Sequence, residues 1–291
     1  MVFKINENEM KKELKQKELR TLKDCFSLKG KNAVIMGGAG KMAESFSYAL
    51  LSAGCESLAI SDINNLRIKE IIKKLDKEFK EKNIYGYNCD VSNENQISNF
   101  SNFLNKKVKN IDVLIYSAMS KPDLFYAPFP EYKFSVWDNV LKVNLSGAFL
   151  VTQKLLPLMR SPSSIIYISS IYAIVSPDFR IYENVKSNIY GSKYPLSSPA
   201  VYSASKAGLI GFSRYMAVYL AEKDIRVNAL VPGGVYDNQD DNFYKEYIKR
   251  VPLKRMAVWS DYNGAILFLA SDASRYMTGQ ILVVDGGLST W

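Results

Sequence analysis

Residues 32–43, NAVIMGGAGKMA, pass from an apolar run rich in β-propensity through three glycines into a segment with helical spacing. Read as Gly-x-x-Gly-x-x-Ala, the turn uses Gly37 and Gly40 for a sharp bend and a close backbone approach. Ala43 is small enough for the new helix to pack on the strand. A strand that ends in such a turn presents the N-terminus of the next helix, where backbone N–H groups favour a pyrophosphate. The same pattern also occurs as a plain tight turn, so its meaning depends on the chain around it.

Working outward, the pattern repeats. ESLAISD (56–62), IYGYNCD (84–90), IDVLIYSA (111–118), SSIIYISS (163–170), IRVNALVPGG (225–234) and QILVVDGG (280–287) are short apolar runs that end in Gly, Ser, Asp or Ala. Longer segments of helical period separate them, among them LRIKEIIKKLDKEF and KAGLIGFSRYMAVYLAEK. Seven strands interleaved with helices imply an α/β fold, a Rossmann-type doubly wound, mainly parallel sheet with helices on both faces. Ligands of such sheets sit beyond the carboxyl ends of the strands. With 291 residues, 47% hydrophobic and 23% charged, the chain is long enough for one large core, expected over residues 28–291. Residues 4–26, with Met10, Leu14, Leu19, Leu22 and Phe26 at roughly helical intervals, read as part of an N-terminal helical arm (1–27).

Composition excludes several kinds of chemistry. There is no histidine, so proton transfer must use Tyr, Lys, Asp, Glu or Cys. Cys25, Cys55 and Cys89 are odd in number and lack metal-site spacing; they read as ordinary thiols of a protein in a reducing cytoplasm, with no bound metal. The formal charge of +9 is concentrated at one end: residues 1–31 hold nine Lys/Arg and five Asp/Glu, which leaves +5 for the rest. That mild excess suits an anionic small molecule better than a nucleic-acid partner, and no apolar run is long enough to span a membrane.

The strand ends then supply a binding set. Asp62 closes the second strand about twenty residues after the glycines, where a carboxylate accepts hydrogen bonds from an adenosine ribose and repels a 2′-phosphate. NAD is therefore expected over NADP, with Lys41 as a cation near the phosphates that softens the preference. Asp90 ends the third strand and is placed either to meet the adenine or to serve the start of the following helix.

Acid/base chemistry points to Tyr-x-x-x-Lys, which occurs three times: Tyr182/Lys186, Tyr202/Lys206 and Tyr219/Lys223. A phenol needs a nearby cation to act near neutral pH, and the i, i+4 spacing supplies one only on a helix. Gly191, Pro195 and Pro199 leave Tyr182/Lys186 little room for a helix, whereas a proline-free run follows Tyr202. Tyr219/Lys223 falls at the far end of that run. Tyr202/Lys206 is the expected pair.

Together these residues resemble the short-chain dehydrogenase/reductase family from about Phe26 to Trp291. The resemblance rests on the glycine turn, Asp62, CDVS (89–92), VNLSG (143–147), ISS (168–170), YSASK (202–206), RVNALVPGG (226–234) and TGQILVVDGG (278–287). It implies a catalytic tetrad of Asn144, Ser170, Tyr202 and Lys206, in which Tyr202 moves the proton and Ser170 hydrogen-bonds the reacting oxygen. Lys206 would hold the nicotinamide ribose and lower the Tyr202 pKa, and Asn144 would support a water relay to Lys206. It also implies a cofactor set of Gly37, Gly40, Lys41, Met42, Asp62, Ile63, Asp90, Val91, Ser117, Ala118, Pro232, Gly233 and Val235, and a homotetramer or dimer. The chain departs from the family pattern at Met36, Lys41 and Ala43 in the turn. Tyr116-Ser117-Ala118-Met119 stands in place of Asn-Asn-Ala-Gly.

Ser and Tyr of this family usually lie about a dozen residues apart. Tyr182 follows Ser170 by 12 residues and Tyr202 by 32, so choosing Tyr202 implies an inserted loop at 171–200. That loop, with Asp178, Arg180 and Glu183, is expected either to face a sugar-like or charged substrate, together with a lid at about 235–255 carrying Asn238, or to serve as an interface or structural loop. Lys249, Arg250, Lys254 and Arg255 read as a phosphate contact or a solvated basic face. PDFRIYE and PGGVYDNQ loosely resemble the branch found in bacterial surface-sugar and flagellin-glycan pathways, which implies NAD-linked oxidation or reduction of a sugar or amino-sugar hydroxyl. A sugar epimerase or dehydratase with tightly bound NAD, and a catalytically silent dinucleotide-sensing protein, are the competing readings.

Overall fold

The computed structural model describes residues 21–186 and 192–291. Most of the expected N-terminal arm, residues 1–20, and Tyr190 of the inserted loop lie outside the described residues. All seven expected strands form: β1 Asn32–Met36, β2 Ser57–Asp62, β3 Asn83–Asn88, β4 Ile111–Tyr116, β5 Met159–Ile168, β6 Ile225–Pro232 and β7 Ile281–Val284. They make one sheet in the order β3-β2-β1-β4-β5-β6-β7, with every neighbouring pair parallel.

Side chains alternate across each strand, so each face of the sheet needs its own cover. Val34 and Met36 point into one core with Ile97, Phe100, Ala148, Val151, Leu209 and Ala217. Those residues come from α4 (Glu94–Lys107), α6 (Gly147–Leu155) and α7 (Ala200–Tyr219). Ala33 and Ile35 point the other way, against Phe46, Ile71 and Leu269 of α2 (Lys41–Ser52), α3 (Asn65–Glu78) and α9 (Asn263–Ala270). Each fully buried Phe, such as Phe46 or Phe100, contributes about 1.5–3 kcal/mol relative to an exposed one. The short helices α1 (Leu22–Phe26) and α5 (Phe134–Leu141) complete the frame with α8 (Asp241–Arg250). Among the described residues, no helix is long and apolar enough to cross a membrane.

Parallel register brings the functional segments to one edge. Met36 pairs with both Ser61 and Tyr116, Tyr116 pairs with Tyr167, and Ile168 pairs with Leu230, so the residues just beyond them emerge side by side. The sheet order reverses between β1 and β4, and the cleft opens at that switch point. Above it, Ile181 and Val185 share a small separate core with Phe243, Tyr247, Val251 and Met256. Residues 181–185 of the inserted segment are thus packed on α8.

Candidate active site

A cleft of about 720 Å³ runs along the carboxyl edge. At one end, Gly37 adopts φ +76°, and a Cβ there would collide with the Ala118 backbone. Gly38 is equally constrained, since its Cβ would lie 2.7 Å from Ile60 Cβ; both N–H groups donate to Ser61 O, at 2.8 and 2.9 Å. Gly40, in contrast, would meet only Gly37 O at 3.6 Å. The glycines therefore divide their work differently from the expectation: Gly37 and Gly38 seat the turn against β4 and β2, and Gly40 leaves room on the ligand side. Met42 lines the same end, and Ala43 is fully buried under the helix.

Asp62 spends its two oxygens on Ala39 N–H (3.1 Å) and Asn64 N–H (2.9 Å), tying the glycine turn to the end of β2. Ile63 and Arg67 stand beside it in the cleft, with Arg67 held between Glu44 (2.6 Å) and Glu70 (3.0 Å). Lys41 is ion-paired to Asp237. The Asp90 carboxylate accepts from Ser92 N–H and Oγ, both at 2.8 Å, while Asn93 caps α4. Asp90, Val91, Ser117 and Ala118 all line the cleft, as do Pro232, Gly233 and Val235 opposite them.

The other end holds the tetrad residues. Helix α7 begins directly after Pro199 and runs to Tyr219, placing Tyr202 in its first turn and Lys206 one turn on. Burial raises the Tyr202 pKa, and the Ser170 hydroxyl offsets only part of the rise. Lys206 is 3% exposed, donates to Ile168 O at 2.8 Å and lies 5.8 Å from the Tyr202 ring centre. Burial, helped by the charge of Lys121, pushes its ammonium down to about 8. The expected lowering of the Tyr202 pKa by Lys206 is not seen in the protein alone: burial raises it, and Ser170 rather than Lys206 opposes the rise.

Asn144 sits fully buried in a π-turn, Lys142–Ser146, where Gly147 N–H reaches back to Lys142 O. Its Oδ1 accepts from Ser120 N–H (2.9 Å), and its Nδ2 donates to Ser205 Oγ (3.0 Å), which in turn donates to Tyr202 O (2.9 Å). Its side chain thereby links the loop after β4 to the Tyr202 turn. Tyr116, in the place of the family Asn, donates its phenol to Val143 O, and a Cβ at Gly147 would strike that phenol. Buried Cys55 and Cys89 have thiols pushed up to about 12 and about 11, which makes them poor nucleophiles near neutral pH.

The three Tyr-x-x-x-Lys pairs separate as expected, with one addition. Tyr219 lies at the far end of α7, about 25 Å from Tyr202 along the axis. Tyr182 ends a 3-10 turn, Phe179–Tyr182, and Lys186 faces a different cavity together with Arg180 and Lys245. Tyr182 itself lines the cleft, its hydroxyl 3.1 Å from that of Tyr172 and its ring stacked on Phe243 at 5.5 Å. Phe125 meets Tyr202 edge-on at 6.5 Å, and Tyr247 accepts Gly234 N–H at 2.6 Å.

The expected substrate residues do not line this cleft. Asp178 binds Arg180 (2.8 and 2.9 Å) and Arg250, which hold its carboxyl well below the usual range; it clamps the inserted loop to α8. Glu183 caps the 3-10 turn, and Asn238, at φ +57°, borders a separate pocket with Trp259. Lys249 pairs with Glu246, Arg255 with Asp261, and Lys254 lies over the Trp291 ring. Sequence reading passed over Phe125, Tyr247, Asp237 and Lys121, all of which line the cleft. Lys121 had a legible signal, because it follows the carboxyl end of β4 by five residues.

Comparison with known proteins agrees with this architecture. The "short chain dehydrogenase" family model matches residues 31–187, and the "Enoyl-(Acyl carrier protein) reductase" model matches 184–289. Among curated relatives, 3-oxoacyl-(acyl-carrier-protein) reductase FabG of Thermotoga maritima is 31% identical over 90% of this chain and 98% of its own. D-arabinitol 2-dehydrogenase (ribulose-forming) of Candida tropicalis is 29% identical over 91% and 95%. Post-translational flagellin modification protein A of Campylobacter coli is 29% identical over 89% and 98%. A short chain dehydrogenase from Leptospira borgpetersenii, solved with bound NAD+, superposes with a TM-score of 0.77 at 30% identity and covers 93% of this chain and 96% of that one. With its glycine turn, parallel sheet and Ser-Tyr-Lys cleft, the chain belongs to the short-chain dehydrogenase family.

Proposed function

We propose that the protein interconverts a secondary alcohol and a ketone on a polyhydroxylated, sugar-like substrate, with NAD preferred to NADP. The observation that carries this reading is the convergence of Ser170, Tyr202 and Lys206 on the cleft that begins at the Gly37–Gly40 turn. The residues present fit a dinucleotide. The open side of Gly40 and the N-terminus of α2 suit a pyrophosphate, Asp62 suits a ribose diol, and Ile63, Asp90 and Val91 suit the adenine end. Ser117, Ala118, Pro232, Gly233 and Val235 would flank the nicotinamide, which when bound supplies the hydride acceptor or donor.

Tyr202 holds the proton at the reacting oxygen, and Ser170 orients that oxygen with a second hydrogen bond. Lys206 is the cation within reach of the phenol; lowering a phenol by two pKa units takes roughly 2.7 kcal/mol. Asn144 positions the Tyr202 turn through Ser205. Tyr172, Tyr182 and Phe125 form an aromatic wall with hydroxyl groups, which suits a polyol or sugar ring. The D-arabinitol and flagellin-modification relatives support a sugar-type substrate and, for the latter, a place in surface-glycan synthesis.

Residues 28–291 act as one domain in this reading, with 171–200 and 235–255 closing over the substrate through their shared core. Exposed Phe149, Tyr215 and Val218 on α6 and α7 support a homo-oligomer. The test is a screen of alditols, sugar acids, sugar phosphates and nucleotide sugars, with NAD and NADP run in parallel. Turnover of a sugar-type alcohol with NAD is expected; dinucleotide binding without turnover of any member would favour a sensing role instead.

A further inference from the structure

Lys121 adds an ammonium to the cleft that also holds Lys206. The loop after β4 is fixed just before it, since Ser120 donates its N–H to Asn144 Oδ1 (2.9 Å) and its Oγ to Asn139 Oδ1 (2.7 Å). From there Lys121 lines the same cleft as Ser170, Tyr202 and Lys206. Its ammonium is near enough to Lys206 to act on its charge. The Lys121 side chain is exposed and lines the cleft, where Asp237 favours its charged form.

The other acids of the cleft, Asp62 and Asp90, belong to the β2 and β3 strand ends. Asp237 is the carboxylate that acts on Lys121, and it is shared with Lys41. The lining near Tyr202 is otherwise uncharged apart from Lys206: serine hydroxyls such as Ser170 and Ser198, phenols, and apolar groups such as Phe125. Lys121 and Lys206 are like charges lining one cleft, and an anionic group bound at Lys121 offsets the repulsion between them.

We propose that Lys121 binds a carboxylate or phosphate on the substrate, so that the preferred substrate is an anionic sugar derivative and a neutral polyol is a poor one. This rests on the oxidoreductase reading of the same cleft. Lys121 is a specificity residue in this scheme: it touches the substrate away from the reacting carbon, while Tyr202 moves the proton.

The test compares wild type, Lys121→Met and Lys121→Arg on matched aldonic acids, sugar phosphates and neutral alditols, with NAD binding titrated separately. Wild type is expected to favour one anionic class over the alditols. Lys121→Met is expected to lose about 10- to 100-fold in kcat/KM for that class, mainly through KM, the size of a lost charge-assisted hydrogen bond. Lys121→Arg should recover part of the loss, NAD affinity should stay within about twofold, and alditol turnover should fall much less than turnover of the anionic class. Whether the acid or the phosphate shows the loss identifies the anion. Wild type preferring alditols, equal losses on charged and neutral substrates, or weakened NAD binding would each overturn the assignment. Absence of turnover on all three classes would overturn the oxidoreductase reading with it.

Discussion

Replacing Lys206 by Met should make the free protein more stable while it abolishes activity. Lys206 is 3% exposed, and its hydrogen bond to Ile168 O is set against burial and the charge of Lys121. Together these bring its ammonium from an ordinary 10.4 to about 8, a destabilisation of about 3 kcal/mol when it is charged. Met has similar length and carries no charge, but it leaves the Ile168 carbonyl without this donor, at a cost of about 1 kcal/mol. The net gain near pH 7 is about 2 kcal/mol, or roughly 4–8 °C in Tm for a domain of this size. The sign with pH is distinctive. Below about 8, folded and unfolded chains both hold the proton and the penalty is complete. Between about 8 and 10.4 only the unfolded chain holds it, so wild-type stability rises towards that of the variant; above 10.4 the advantage disappears. Denaturant unfolding of both proteins from pH 6 to pH 10.5 measures this. A variant less stable than wild type at pH 7, or a difference that does not shrink with rising pH, would refute the reasoning.

Further substitutions probe the other parts of the cleft. Gly37→Ala places a Cβ on the Ala118 backbone at a positive φ and should destabilise the fold by more than 2 kcal/mol, roughly the cost of backbone strain plus overpacking, as read by Tm. Gly40→Ala has room within the protein, so its Tm should change little while its NAD Kd rises about tenfold or more. Asp178→Asn should loosen the contact between the inserted loop and α8, seen as faster proteolysis near residue 186 and a higher KM. In wild type the same contact should weaken as pH falls below about 4, because the folded Asp178 pKa is depressed and its stabilising contribution is lost on protonation. Asp62→Ser should raise NADP use relative to NAD, since it removes the carboxylate and leaves Arg67 beside the ribose position; steady-state kinetics with both cofactors would show it.

The sheet was readable because its central strands are buried on both faces and their apolar runs stand out against the helical segments between them. The turn at 37–43 and the YSASK helix were readable because glycine and proline punctuate local backbone directly. What escaped was long-range pairing. Asp178, Arg180 and Glu183 look like a ligand set in sequence, yet Arg250, 72 residues away, takes up the carboxylate together with Arg180. Nothing local announces the π-turn at Lys142–Ser146, nor the way Asn144 spends its amide on Ser120 and Ser205. The lack of a helix rules out Tyr182/Lys186 as an acid/base pair, but it gives no sign that the Tyr182 phenol reaches the cleft.

Two phenols, Tyr182 and Tyr202, therefore line the same cleft, and Tyr202 alone of the two stands one helical turn from a buried lysine. Rapid-mixing measurement of NADH formation by Tyr202→Phe and Tyr182→Phe, with a substrate the wild type accepts, separates them. Tyr202→Phe should slow the reaction by about 10²–10⁴-fold with NAD affinity intact, while Tyr182→Phe should remain within about tenfold of wild type. A dead Tyr182→Phe beside an active Tyr202→Phe would contradict the assignment of the proton-transferring residue.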